Sequence, residues 1–274
     1  MLVMIDDNWI AAGRDYPRYA PLFAPGRPAF ETFRRSIAAA DATLVFNELL
    51  EEDLRPMARQ LARLPPNVNT RLFRPDGRAS RPPGFLAGYA GSPRLENVAF
   101  RALALLAQRH PDVLLLAMAH EHPPEWKEVP AERVVFVPFC VDYGRYARTL
   151  ATLAPDVMVA PLDGTRFSAS KCPNKFLDLS AVPTAGIYSN TKPYTDYVEQ
   201  GRTGLLVDDT VEAWLDALEE LYENPGRCLD IARRAHDQVV ARFDTAVVLP
   251  QFLDLLRTLA NPKSSQMVSP RVRR

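Results

Sequence analysis

Short apolar runs alternate with amphipathic stretches along almost the whole chain, and that alternation limits the fold more than any other feature. Apolar runs of about four to seven residues, each followed by a stretch of helical period, are the pattern of parallel strands joined by crossover helices. The first part reads β-α-β-α-β. Strands are predicted at 2–5 and 43–46, helices at 31–40 and 48–60, and a short apolar, proline-bearing stretch at 61–66. Asn47 is placed to cap the second helix, and Pro56 to kink or split it. The proline-rich segment 15–28 reads as loop.

Residues 67–83, rich in arginine, proline and polar side chains, read as an interdomain linker. A second run follows, with strands predicted at 85–89, 113–118, 133–137, 157–160, 184–188 and 205–207. Helices are predicted at 98–109, 143–153, 173–180, 193–200, 226–243 and 247–259, with another running from a capping-box start at 209–212 through 222. The fold class is therefore α/β. Residues 84–243 hold a complete doubly wound domain, whereas 1–66 hold only part of one, because such a domain takes about five or six strands. The polar, basic segment 261–274 is expected to be disordered.

Thirty-three Lys and Arg balance thirty-three Asp and Glu, so the formal charge is zero and nucleic acid is not expected as a partner. Cys140, Cys172 and Cys228 lie far apart, without metal-ligand spacing or a disulfide framework, which points to a reducing cytosol. The opening MLVMIDDNW reads as neither a signal peptide nor a membrane span, and no apolar run approaches membrane length.

Three segments carry the candidate chemistry. The first is GYAGSPR, residues 88–94, at the carboxyl end of the first strand of the complete domain. Ligands bind at that end of open α/β sheets, small residues allow close backbone approach, and Arg94 is suited to a phosphate. Taken alone, the segment is also an ordinary strand-to-helix turn with a surface arginine. The second, residues 163–178, follows strand 157–160 and opens a helix with Pro173 in its first turn. Lys171 and Lys175 are four residues apart, which puts them on one helical face. Cations at a helix start oppose the macrodipole, so their placement makes better sense with an anion between them. Asp178 is positioned to accept hydrogen bonds from ribose hydroxyls; the alternative is a solvated helix with an incidental Lys–Asp pair. The third, GRTGLLV at 201–207, is physically a helix end followed by a buried strand.

Weaker signals remain. Asp6-Asp7 reads as a cap or strand terminus or as a metal-binding acid pair, with Asp6 the candidate catalytic residue facing a cleft. His120, Glu121 and His122 read as a solvated loop, Trp126 and Trp214 as packing residues, and Cys172 lacks a companion that would make it a nucleophile.

Together these segments resemble the donor domain of the group 1, family-4-type retaining glycosyltransferases, in their polysaccharide and O-antigen branch. The stretch PPNVNTRLFRP looks like that family's interdomain signature. GYAGSPRLEN with ALLAQRHPDVLLLA looks like its first βαβ unit, and SASKCPNKFLDLSAVPTAGIYSNTKPYTDYVEQGRTGLLV like its donor-site helix and the strands after it. ADATLVFNELLEEDL resembles the strand and helix that end the family's N-terminal domain. The resemblance implies a GT-B fold: a nucleotide-sugar-binding Rossmann-like domain over 67–243 and a partial acceptor-side lobe over 1–66, joined by the crossing helix 247–259.

It further implies sugar transfer from a UDP- or GDP-sugar to a glycan or lipid-linked acceptor, with retention and without a bound metal or cofactor. Lys171, Lys175 and Arg166 or Arg94 would stabilise the leaving diphosphate, helped by backbone around Ser170 and Cys172. Gly91 and Ser92 would border it, Asp178 would hold the ribose, and Val137-Pro138 the base. Two departures stand out. Where many members carry Glu-x7-Glu, this chain has Ser170 and Asp178, and aspartate is one methylene shorter, so ribose contact calls for a water. About half of the acceptor domain has no counterpart, so a homo-oligomer or partner subunit is expected, on a cytoplasmic protein or one peripheral to the membrane. The alternative is a donor-binding subunit or degenerate binding module that needs a second chain for activity.

Overall fold

The computed structural model describes residues 1–75, 77, 83–91 and 97–260. Two parallel sheets organise them. The first contains β1 (Leu2–Met4), β2 (Ala42–Val45) and β3 (Leu61–Arg63), in that order, with β2 central. Between the strands run α1 (Trp9–Asp15), α2 (Ala20–Phe23), α3 (Pro28–Ala39) and α4 (Glu48–Leu54). Asn47 caps α4 by accepting from the Leu50 amide, and α4 stops two residues before Pro56. Segment 15–28 is not all loop. Asn8 caps α1 through the Ala11 amide, and α2 packs back on α1. Gly13 makes that approach possible, since a Cβ there would sit 2.3 Å from the Phe23 carbonyl oxygen. Helix α1 is only seven residues long, too short to show a helical period in the sequence.

The second sheet has six strands: β4 (Phe85–Ala90), β5 (Val113–Ala119), β6 (Val134–Pro138), β7 (Val157–Ala160), β8 (Ala185–Ser189) and β9 (Leu205–Val207). Their spatial order is β6-β5-β4-β7-β8-β9, with every pairing parallel. The helices are α5 (Val98–Arg109), α6 (Tyr143–Leu153), α7 (Arg166–Ala169), α8 (Asn174–Ala181), α9 (Val211–Glu223), α10 (Pro225–Arg242) and α11 (Thr245–Ala260). Alternate strand residues feed opposite faces. Ala87, Val113, Leu115, Ala117, Val157 and Val159 pack beneath α5 and α9, around the buried Trp214. Leu86, Leu116, Met118, Met158 and Ala160 pack with α6 and α8, around the buried Phe176. Both faces are covered, so the strands are near-continuous apolar runs, as parallel sheets require.

Three sequence expectations shift. Residues 193–200 form a 3₁₀ turn, Tyr194–Asp196, rather than a helix, because the Thr203 hydroxyl takes the Glu199 amide and Gln200 bridges to Gly204. The cap of α9 is Thr210, which accepts from the Ala213 amide, one residue beyond the expected start at Asp209. The short α7 has no counterpart in the sequence reading. The expected tail, 261–274, lies outside the described residues.

The chain crosses between the lobes twice, and the crossings are bonded together. The Val68 amide donates to the Phe243 carbonyl and the Thr245 amide to that of Val68, each at 2.9 Å. Thr245 also bonds Asn67 through its hydroxyl at 2.9 Å. Beyond this joint α11 returns to the first lobe, where Val248, Leu249 and Phe252 meet Met4, Phe46 and Leu64 around a cavity of about 170 Å³. The outer side of this region stays apolar and exposed at Leu2, Met4, Leu249 and Leu253.

Candidate functional site

In the strand order β6-β5-β4-β7-β8-β9, chain direction across the sheet reverses between β4 and β7. That is the switch point, where a crevice forms beyond the carboxyl ends of the strands. A cavity of about 880 Å³ opens there. Gly91 borders it just after β4, with φ at +147° and its amide donating to Met118 O at 2.9 Å. A side chain is strained in that conformation and would also meet the Tyr89 hydroxyl. Met118, Val137, Pro138 and Phe139 form an apolar wall, and Tyr143, Asn174, Lys175 and Asp178 a polar one. Asn67 and Thr245, from the two crossings, close the side towards the first lobe.

The polar wall has a clear electrostatic logic. Asp178 is only 5% exposed. Burial pushes its carboxyl above the ordinary range, partly offset by the Lys175 ammonium and the hydroxyls of Tyr143 and Tyr146. Lys175 Nζ lies 3.9 Å from Asp178 Oδ2 and 5.3 Å from the centre of the Tyr146 ring. Tyr143 donates to Asp178 Oδ1 at 2.6 Å. Tyr143 begins α6 because Asp142 caps that helix by accepting from the Arg145 amide.

Gly91, Val137, Pro138, Lys175 and Asp178 thus come together around one cavity. Ser92 and Arg94 lie outside the described residues. The remaining candidates sit at the junction between the lobes. Helix α8 starts at Asn174, so Lys171 precedes it and does not share its face with Lys175. Lys171 instead reaches across to Asp7, Nζ to Oδ1 at 2.9 Å, and lies 4.3 Å over the Phe167 ring. Arg166 is held away from the cavity by a two-pronged contact with Asp53, both bonds at 2.9 Å, and by Glu52. Burial raises the Asp53 carboxyl, but hydrogen bonds from Arg166 and Asn8 outweigh it and hold the group below the ordinary range. Ser170 is fully buried, its hydroxyl accepting from Asn8 and donating to the Arg166 carbonyl, while Asn47 donates to the Ser170 carbonyl. Burial, reinforced by the charges of Asp6 and Asp178, pushes the Cys172 thiol up to about 12, so it stays protonated at neutral pH. Asp6 is exposed, and its neighbour Asp7 makes the contact across the lobes.

The sequence reading missed this junction and the aromatic residues of the cavity. Asn8, Asp53 and Tyr16 are scattered polar residues with no local signal. Tyr16 bonds Thr165 at 3.1 Å and Ser168 at 3.0 Å. Tyr143 and Phe139 did have a findable signal, since both follow the strand end already assigned to the base.

Comparison with known proteins agrees with this geometry. Residues 89–224 match the family model described as "Glycosyl transferases group 1". No curated protein matches the sequence. Among solved structures, sucrose-phosphate synthase from Thermosynechococcus elongatus superposes with a TM-score of 0.68 at 18% identity, over 95% of this chain and 68% of that one. Anabaena Alr3699/HepE, solved with UDP and glucose, gives 0.67 at 14% identity, over 94% and 71%. TarM of S. aureus gives 0.64 at 10% identity, over 93% and 49%. These structures share the chain's α/β fold with parallel sheets, which is GT-B. Residues 89–224 thus carry a group 1 glycosyltransferase domain, on a GT-B framework.

Proposed function

We propose that this protein transfers a sugar, with retention of configuration, from a UDP- or GDP-sugar to a glycan or lipid-linked acceptor. The observation that carries this reading is the cavity itself. It joins an apolar wall suited to a base, Val137 to Phe139, with an ammonium suited to a diphosphate, Lys175, and the hydrogen-bonded pair of Tyr143 and Asp178 suited to a ribose. The Anabaena neighbour's complex with UDP and glucose favours uridine as the first donor to test.

In the reaction the bond between the anomeric carbon and the diphosphate oxygen breaks, the diphosphate leaves with the electron pair, and an acceptor hydroxyl oxygen bonds the anomeric carbon while its proton passes to the departing diphosphate. Lys175 faces the developing charge, and Lys171 joins it on release from Asp7. Arg94 and the small residues Gly91 and Ser92 complete the phosphate site. Fixed positive charge of this kind stabilises the transition state without reorganisation. Among the described residues no helix is long and apolar enough to cross a membrane, which fits a protein working in the cytoplasm or at a membrane face. Titration with UDP and GDP, followed by donor-hydrolysis and transfer assays, tests the proposal; absence of binding by either nucleotide overturns it. The second reading, a donor-binding half completed by another copy of the chain, draws on the exposed apolar residues of β1 and α11. Binding without turnover in dilute protein, with turnover restored on association, would select it.

A further inference from the structure

The carboxyl expected to hold the donor's ribose is already occupied. Asp178 Oδ1 accepts from Tyr143 at 2.6 Å, Lys175 stands 3.9 Å from Oδ2, and the side chain is only 8% exposed. Little of the carboxylate remains for a substrate to reach. Tyr143, by contrast, is 44% exposed and lines the cavity beside Asp178. Its ring is held in place by an edge contact with Phe73, centroids 6.0 Å apart, and by Tyr146 at 5.8 Å. Its backbone is fixed at the first position of α6 by the Asp142 cap.

A phenol hydroxyl donates its one proton and can also accept a hydrogen bond. The proton is committed to Asp178, and donation to a carboxylate polarises the oxygen, which strengthens it as an acceptor. We infer that Tyr143 is the donor-binding residue at the ribose subsite: its oxygen accepts a hydrogen bond from a ribose hydroxyl, and Asp178 acts behind it as a positioning residue. The phenol spans the distance that the shorter aspartate side chain leaves. Burial and the neighbouring Asp178 charge raise the Tyr143 hydroxyl far above its ordinary value, so it remains protonated throughout the working range.

This inference rests on the nucleotide-sugar reading of the same cavity, and the test separates the two. Calorimetric titration of wild type and Tyr143→Phe is made with UDP, with 2′,3′-dideoxy-UDP and with inorganic pyrophosphate, replacing uridine by guanosine if only GDP binds. Phenylalanine keeps the ring contacts and removes only the hydroxyl. The expected result is a loss of about fivefold to tenfold for the ribonucleotide, the worth of one net hydrogen bond. Pyrophosphate affinity is expected to stay unchanged, and the difference between the two proteins to vanish with the dideoxynucleotide. Equal losses for the ribo and dideoxy ligands, or no loss at all, overturn the inference while leaving the donor site standing. A wild-type protein that binds neither UDP nor GDP removes the donor site and this residue's role together.

Discussion

Lys171 and Asp7 form an ion pair across the cleft, Nζ to Oδ1 at 2.9 Å, joining the loop before α8 to the end of β1. Both side chains are about one-third exposed, 32% and 31%, so the pair contributes at most about 1 kcal/mol. In the proposed donor site a diphosphate, carrying more charge than one carboxylate, would compete with Asp7 for Lys171, so donor binding and this interlobe contact are expected to oppose each other.

Asp7→Asn is expected to strengthen UDP binding about twofold to fivefold, because the ligand no longer displaces a carboxylate worth about 0.4–1 kcal/mol. Lys171→Ala is expected to weaken UDP more than uridine. Calorimetry on both variants checks this; equal losses for nucleotide and nucleoside would remove Lys171 from the phosphate site.

The contact between Arg166 and Asp53 is expected to be structural. Both of its hydrogen bonds measure 2.9 Å, with Asp53 22% exposed and Arg166 31%. Arg166→Ala should cost about 1–2 kcal/mol in urea unfolding after allowance for solvent screening, and Arg166→Lys should recover little, since an ammonium cannot make the two-pronged contact. Asp53 is held below its ordinary value of 3.8, so its contribution is present above that pH and is lost as pH falls through the lowered value. Arg166→Ala should flatten this acid limb of the stability curve.

Asp178 has the opposite sign. Burial raises its carboxyl above 3.8, so the folded protein holds the proton more tightly than the unfolded chain. Stability from this group is full below that value and is lost as pH rises through the raised one. Asp178→Asn is expected to remove that downward component, with urea midpoints at acid and neutral pH as the readout. A variant with an unchanged pH profile would show that the site does not hold the proton.

Packing on the α6–α8 face of the large sheet is expected to dominate stability. Leu116, fully buried in β5, should cost about 2–5 kcal/mol when replaced by alanine. Denaturant unfolding measures it, and a loss under 1 kcal/mol would mean that the site collapses to fill the space.

Exposed apolar residues on β1 and α11 are expected to drive self-association. Sedimentation velocity should show a dimer or larger species, with Leu2→Asp or Leu249→Asp shifting it towards monomer. A wild-type monomer with full transferase activity would exclude the second functional reading.

The sequence by itself determined the architecture of the large domain. Its strands are apolar runs bounded by turn residues, and its helices α5 and α6 carry so regular a period that their bounds were readable to the residue. The motif at 171–178 also grouped Lys175 with Asp178, because both are read from one helix, and both line the large cavity. The junction between lobes was decided only by the tertiary structure. Asn8, Asp53, Arg166 and Ser170 are distant in sequence, and no local pattern says that Arg166 will spend its charge on Asp53 rather than on a phosphate. The same holds for Tyr143. A helix period places it at the start of α6, but only the packing of α6 against α8 sets its hydroxyl on the buried carboxylate of Asp178. Local propensity and period are properties of neighbouring residues, whereas the pairing of charges across a cleft depends on where two separately folded lobes come to rest.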